Sequence, residues 1–407
     1  MKANARLAWD GVKLHGKGFI VTEGRAKALG LGTVIGLESH IRPYRNGRDI
    51  QQTSRGLLVI DLFGLTEAEV RQRFPAVFEH LLVQVKEQRD AKAGDGKDSA
   101  AYAKLWWLHG KPRPELRPAL LGLPRFIATV DTARHRVFSF LNPQIIVDDK
   151  VVVIASADAH HLGVLQSRFH IVWVLAQGNW LGKGNDAVYV KTQCFDPFPF
   201  PATTPAQHAV IGQAAETLDA HRKARMAVHP HLTLTGLYNA LEVLRAGRVL
   251  EPAERDTMEA GQIATLRHLH DTLDAAVADA YGWPVDLPAV EIVARVVALN
   301  AERRAEERDG LVRWLRPEYQ APAEALPIRT QQPAFGLDEA AAVLPAWPKD
   351  TVAQYQAVLA ALSRNPVRPA DLAKQFRGVR PAKLAPMLNV LAGLGQARQD
   401  GTGRYVR

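Results

Sequence analysis

Asp196-Pro197-Phe198-Pro199 is the stretch of this 407-residue chain that comes nearest to a catalytic loop. Enzymes that modify the exocyclic amino group of a flipped-out base use an Asn or Asp, two adjacent prolines and an aromatic residue. The Asn or Asp side chain and a backbone carbonyl accept hydrogen bonds from the amino group, the paired prolines stiffen the loop, and the aromatic ring stacks on the base. Here Phe198 separates the two prolines, which displaces the aromatic and breaks that geometry. The run from Tyr189 to Pro201 reads instead as an extended exit from a sheet, with Phe195, Phe198 and Phe200 packed against a neighbouring domain.

His160-His161 and His170 lie near Asp158 in sequence, but their spacing matches no H-E-x-x-H or Cys/His zinc pattern. They are expected to be ordinary polar or packed histidines, with no metal. His229-Pro230-His231 reads as a loop. Cys194, the sole cysteine, sits beside aromatics in what reads as a buried strand, which suits a structural thiol rather than a nucleophile. One cysteine also excludes an internal disulfide framework and suits a reducing cytoplasm. Gly30, Gly32 and Gly36 offer the glycines of a nucleotide turn, but no clear strand leads into them. No cofactor-binding residue is therefore expected in this chain.

Basic residues are the remaining group. Arg113, Arg125, Arg134, His135, Arg136, Lys150, Arg168, Lys183 and Lys191 fall in one β-rich region and are the candidate DNA contacts. Lys183 sits in Leu181-Gly182-Lys183-Gly184-Asn185, a glycine-flanked loop able to approach a phosphate closely. The net charge of +9 is unevenly spread. Residues 1–201 hold 27 Lys and Arg against 19 Asp and Glu, a net of +8, and the remainder holds 24 against 23. A basic half beside a neutral half points to a polyanionic partner, most simply double-stranded DNA. No apolar run approaches the ~18–20 residues that span a bilayer, and the first residues lack an apolar signal core. A cytoplasmic protein without a membrane partner is expected.

The elements that would position these residues suggest an α+β fold. Residues 1–60 are Gly-rich and extended, and 57–61 reads as a buried strand. Thr66 caps a helix whose box Glu69 closes, and a second helix begins near Pro75. Residues 90–100 read as a polar connector. Strands are expected at 125–130, 137–140, 151–155 and 186–195, and a helix at 162–178 that stops at Gly178. Long helices follow at 205–226, 234–246, 253–281 and 289–308, then a Pro-rich linker at 317–333. Near the end, helices at 351–363, 369–377 and 380–393 precede a hairpin carrying Gly401 and Gly403, a winged-helix pattern. The expected segments are 1–95, a β-rich domain at 96–201, a helical domain at 202–330 and a winged-helix-like domain at 331–407.

Several stretches together resemble a known family. Pro43-Tyr44-Arg45-Asn46-Gly47-Arg48-Asp49 resembles the segment that follows the catalytic domain of class I adenine-N6 DNA methyltransferases. These include the MmeI-like type IIL/IIG restriction–methylation proteins and their phage-defence relatives. Val59-Ile60-Asp61, Phe74-Pro75 and Val85 through Arg89-Asp90 continue that pattern. Ser167-Arg168-Phe169-His170 within 165–173 is similar to a helix of the family's target recognition domain. Cys194-Phe195-Asp196-Pro197-Phe198-Pro199-Phe200-Pro201 is similar to that domain's ending, and Leu299 to Arg303 with Trp314 to Pro317 resembles its helical tail. The resemblance covers about residues 8–320.

It implies that residues 96–201 are a target recognition domain on duplex DNA. Residues 1–95 would be a connector packing on a methyltransferase catalytic subunit, which would bind S-adenosylmethionine. The family's catalytic half would lie upstream of residue 1, no catalytic residue carries over, and the chain alone is expected to be inactive. A stand-alone winged-helix DNA-binding regulator or decoy is the alternative, with Arg398, Arg404 and Arg407 on phosphates.

Overall fold

The computed structural model describes residues 1–181, 186–249, 251–322, 347–348, 350–362, 367–377, 379, 381–393, 397–400 and 403–406. The chain divides into two compact units, residues 1–326 and 327–407.

Eleven strands are described in the first unit: β1 (Ala8–Asp10), β2 (Ile20–Val21), β3 (Ile41–Arg45), β4 (Leu58–Ile60), β5 (Phe126–Val130), β6 (Thr132–Ala133), β7 (Ser139–Leu141), β8 (Ile146–Val147), β9 (Val151–Ile154), β10 (Asn179–Leu181) and β11 (Asp186–Val188). They form open sheets in the orders β1-β9-β5-β7, β2-β4-β3-β8 and β10-β11-β6. The two central strands of the first sheet, β5 and β9, are buried along their whole length. Alternation then assigns their side chains to two cores. Ile127, Val152 and Ile154 face the large core under the helices, whereas Phe126, Ala128, Val151 and Val153 face a smaller one with Leu116. Strands covered on both faces read as continuous apolar runs, which is why 125–130 and 151–155 were legible.

Pairing crosses the expected boundary at residue 95. β1 pairs with β9, with Ala8 opposite Ile154, and β3 runs parallel to β8, with Tyr44 opposite Ile146. Gly11 permits this crossing: a Cβ there would lie 2.3 Å from the carbonyl oxygens of Val147 and Asp148. Residues 1–95 and 96–201 therefore share their sheets within one unit.

The helices of the first unit used below are α1 (Glu67–Arg73), α2 (Pro75–Leu81), α3 (Lys97–Lys104), α4 (Ala159–Gln166), α5 (Arg168–Gln177), α6 (Pro205–Val228), α7 (Leu234–Ala246), α8 (Pro252–Ala260), α9 (Ile263–Tyr281) and α10 (Ala289–Arg308). Capping boxes at Thr66/Glu69 and Thr204/Gln207 open α1 and α6. Gly163 lets α4 approach α6 closely, because a Cβ there would meet Ile211 at 2.6 Å. The buried Arg222 of α6 joins three parts of the unit. It donates to Gln166 Oε1 (3.0 Å), Tyr238 Oη (2.9 Å) and the Phe138 carbonyl (2.8 Å).

Four expectations change. The helix expected over 162–178 begins earlier and breaks at Ser167, whose Oγ donates to the Val164 carbonyl at 2.7 Å. The strand expected over 186–195 ends at Val188, and Lys191–Cys194 forms a helical turn, so the buried Cys194 is not in a strand. The helix over 253–281 is two helices, α8 and α9, separated at Gln262, which has φ 47°. The connector at 90–100 already contains the first turn of α3.

The second unit holds α11 (Thr351–Ala361), α12 (Pro369–Ala373) and α13 (Pro381–Gly393), then the antiparallel pair β12 (Arg398–Gln399) and β13 (Tyr405–Val406). Val358, Leu372, Leu384, Leu388 and Tyr405 form its core. The element order is the expected one. Gly401 and Arg407 lie outside the described residues, as does most of the stretch read as a Pro-rich linker. Among the described residues, no helix is long and apolar enough to cross a membrane.

Candidate nucleic-acid interface

The Pro-Phe stretch is a seam, not a loop open to a base. Phe195 and Phe198 are fully buried and Phe200 nearly so. Proline removes donors, so the carbonyls carry the polar contacts here. Asn4 Nδ2 donates to the Phe195 and Phe198 carbonyls at 2.8 and 2.7 Å. The Met1 amine donates to Asp196 O (2.9 Å), Asn300 Nδ2 to Pro197 O, and Tyr281 Oη to Pro199 O (2.8 Å). Trp173 Nε1 donates to the Cys194 carbonyl at 3.0 Å. Burial lifts the Cys194 thiol to about 11, so it stays protonated near neutrality. Phe198, edge-on to His170 at 4.3 Å, is not exposed to stack on a base.

The nine basic candidates fall into separate groups. Arg113 and Lys191 converge on Asp10 of β1: Lys191 Nζ is 2.8 and 2.9 Å from its two oxygens, and Arg113 lies 3.6 Å away. Arg125 holds Glu216 and lies 3.6 Å over the Phe140 ring. Lys150, well exposed, pairs with Asp131 at 3.2 Å, which raises its pKa. Lys183 lies outside the described residues.

Arg134, His135, Arg136 and Arg168 line one cavity of about 200 Å³, with Glu242, Arg245, His270 and Asp274 on the helical side. Arg134 is half exposed and 3.4 Å from Glu242. His135 Nε2 bonds Asn239 Oδ1 at 2.7 Å. Arg168 donates to the carbonyls of Val285 and Leu287. Arg136 is buried, and its guanidinium donates to the Val130, Asp131 and Ala187 carbonyls and to Thr129 Oγ1. Desolvation lowers its pKa to about 10, still well above neutrality, so its charge is retained. In this conformation Arg136 is a strut between β5 and β11, and its guanidinium does not reach solvent. Arg117 of the same basic region is likewise committed, holding Asp61 at 2.7 and 2.9 Å.

Sequence reading missed a larger basic feature. Lys13, His15, Lys17, Arg89, Lys92 and Lys111 line a cleft of about 600 Å³, together with Asp98, Ser99 and Tyr102. The backbones of Lys13 and Lys111 exchange hydrogen bonds of 3.0 and 2.9 Å, which sets two lysines side by side. Arg89 forms the floor: it donates to the carbonyls of Leu14, His15, Tyr102, Leu105, Trp106 and Leu108. His15 stacks on Tyr102 at 4.5 Å. Lys17, Lys92 and Lys111 are exposed and have no ion pair among the described residues. No local pattern marked this cleft, because its lysines come from three separate segments that meet only in the fold.

The glycine run does not fit a nucleotide cradle. It follows a short helix (Glu23–Ala28) rather than a strand, and Ile35 within it is almost fully exposed. One cluster of metal-ligand type, Asp158, His160 and His161, forms among the described residues, although its sequence spacing fits no zinc pattern.

Comparison with known proteins follows the same segment. Residues 11–202 match the family model described as MmeI, target recognition domain. Among solved structures, the type IIL restriction-modification enzyme MmeI, determined in complex with DNA, matches with a TM-score of 0.56 at 17% identity. That alignment covers 74% of this chain, and the chain spans only 36% of the length of the MmeI chain. No curated protein matches. The resemblance read from the Pro-Tyr-x-x-Gly-x-Asp segment, the Ser-Arg-Phe-His helix and the Pro-Phe ending thus holds. The matched segment includes both the stretch expected to be a connector and the β-rich stretch after it.

Proposed function

We propose that this chain reads duplex DNA as the specificity portion of an adenine-N6 methyltransferase in a restriction–modification or phage-defence system. One observation carries the reading: the segment that matches a target recognition domain is also the segment that folds the basic cleft and holds most of the net charge. The cleft lysines suit phosphates, which fix register on the duplex without reading sequence. Arg134 and Lys150, exposed and held only by single carboxylates, are the candidates for base edges or adjacent phosphates. Arg113, Arg125, Arg168 and Lys191 are partly engaged already and orient that surface.

S-adenosylmethionine chemistry in this reading belongs to a catalytic half outside these 407 residues, since the glycine run here lacks the strand–turn–helix geometry. That half would methylate a flipped adenine while this chain supplies the site. The three helices and hairpin of the second unit support a winged-helix-like module, with exposed Arg398 and Arg404 available to phosphates.

The test is anisotropy of a labelled duplex titrated with the full chain across a salt series, repeated after deleting residues 330–407. Steep salt dependence retained in the deletion supports recognition by the first unit. Loss on deletion favours a regulator that binds through the second unit, and absence of salt-dependent binding sinks both. Mass spectrometry of copurifying proteins, followed by a methylation assay, tests the catalytic half: methyl transfer by the chain alone would contradict its assignment.

A further inference from the structure

Asp158, His160 and His161 stand at the start of α4, where the chain leaves β9 for the helical layer. Asp158 caps the helix, its Oδ1 accepting from the His160 amide at 2.9 Å. Its other oxygen, Oδ2, lies 2.9 Å from His208 Nε2 of α6 and 4.0 Å from His161 Nε2. Ser156 Oγ bonds His161 Nδ1 at 2.7 Å, which leaves Nε2 facing the carboxylate. The ring of His160 stacks on that of His208 at 4.5 Å.

His160 is the anomaly. It is only 4% exposed, yet neither ring nitrogen has a hydrogen-bond partner. A buried imidazole with both nitrogens unsatisfied is costly and calls for a ligand. The donor atoms of Asp158, His160 and His161 all lie within 4.8 Å of one another. In a tetrahedral zinc site, bonds of ~2.0–2.1 Å place donors about 3.3 Å apart, so closure needs shifts on the order of 1 Å. The cluster borders a cavity of about 360 Å³ that gives a path in and room for a water ligand.

We propose that Asp158, His160 and His161 bind one divalent transition-metal ion of the zinc class, with a water from the cavity as the fourth ligand and His208, on Asp158 Oδ2, as an outer partner. Two imidazoles, one carboxylate and a water suit zinc, cobalt or nickel and disfavour magnesium. The Ser156 hydroxyl is the outer partner that fixes the tautomer and aim of His161. The bound ion fixes the start of α4, and the His208–Asp158 contact links that ligand to α6. The proposal is independent of DNA binding.

The test is titration of the chelator-treated full chain with zinc chloride by calorimetry, and with cobalt chloride by visible absorption. One equivalent should bind, cobalt should show the intense bands of a four-coordinate site, and zinc should raise the thermal midpoint. His160→Ala with His161→Ala should weaken zinc binding at least about 100-fold and abolish the thermal shift. His231→Ala, which removes an exposed histidine 3.0 Å from Asp256, should change nothing. His208→Ala, at a half-exposed position, serves if the buried variants do not fold, and should weaken binding about tenfold. Binding that is absent from the wild type overturns the site. So does binding that survives in the double variant, or that is unchanged in a folded His208→Ala protein.

Discussion

The basic cleft and the arginine cavity belong to one folded unit but commit their cations differently. In the cavity, the Arg136 guanidinium donates to three carbonyls and a hydroxyl, Arg168 to two carbonyls, and Arg134 reaches a glutamate. In the cleft, an arginine at the floor takes the carbonyls, while Lys17, Lys92 and Lys111 point outward without ion pairs among the described residues. A planar guanidinium with five donors suits converging carbonyls, and a hydrated ammonium on a long stem suits reserve charge at a surface. Local sequence does not separate the two uses. Arg134 and Arg136 are two residues apart, one half exposed and one buried.

The largest expected effect lies inside the cavity. Arg136→Met should cost about 3 kcal/mol, because it strands three buried carbonyls, whereas Arg134→Ala should change stability by no more than about 0.5 kcal/mol. Urea midpoints of the two variants measure this; equal losses would break the contrast. Next comes Lys17→Glu with Lys92→Glu and Lys111→Glu. The triple variant should bind duplex DNA about 100-fold more weakly at low salt, with a log–log salt slope smaller by about 3 and an unchanged thermal midpoint. A larger loss from Arg134→Ala with Lys150→Ala would move the interface to the cavity.

The smallest effect is in pH dependence. Burial lifts Asp274 to about 6, although the Arg168 amide donates to its Oδ1 at 2.8 Å. A carboxyl raised from about 3.9 in the unfolded chain contributes stability below pH ~4 that is lost as pH rises through ~6. Asp274→Asn should flatten that window and gain on the order of 1–2 kcal/mol at pH 7–8, read from urea midpoints between pH 4 and 8.

Much of the scaffold was legible because short-range physics dictates it. The Thr66/Glu69 box, the long Ala- and Leu-rich helices and the doubly buried strands announce themselves within one element. The Pro-Phe stretch was legible as packing for a related reason: splitting the prolines rules out the alternative geometry. The misses need tertiary partners. Ser167 breaks a helical pattern where the next free amide finds Asp274, more than 100 residues away. The Lys13–Lys111 bridge and the meeting of His208 with Asp158 have no local signature at all. Of the nine candidate contacts, eight lie on described backbone, and only Arg134 and Lys150 combine exposure with a single weak tether.

The carbonyls of the Pro-Phe seam also set a timetable. Phe195 to Pro199 take their donors from Asn4, far upstream, and from Tyr281 and Asn300 downstream. During synthesis the three phenylalanines therefore emerge well before Tyr281 and Asn300, the downstream groups that close the seam. At about 5–20 residues per second, the hundred residues up to Asn300 take roughly 5–20 s to make. For that interval the nascent chain carries an aromatic stretch still open on its downstream side, the natural point for a chaperone to hold the growing chain or for two growing chains to stick together.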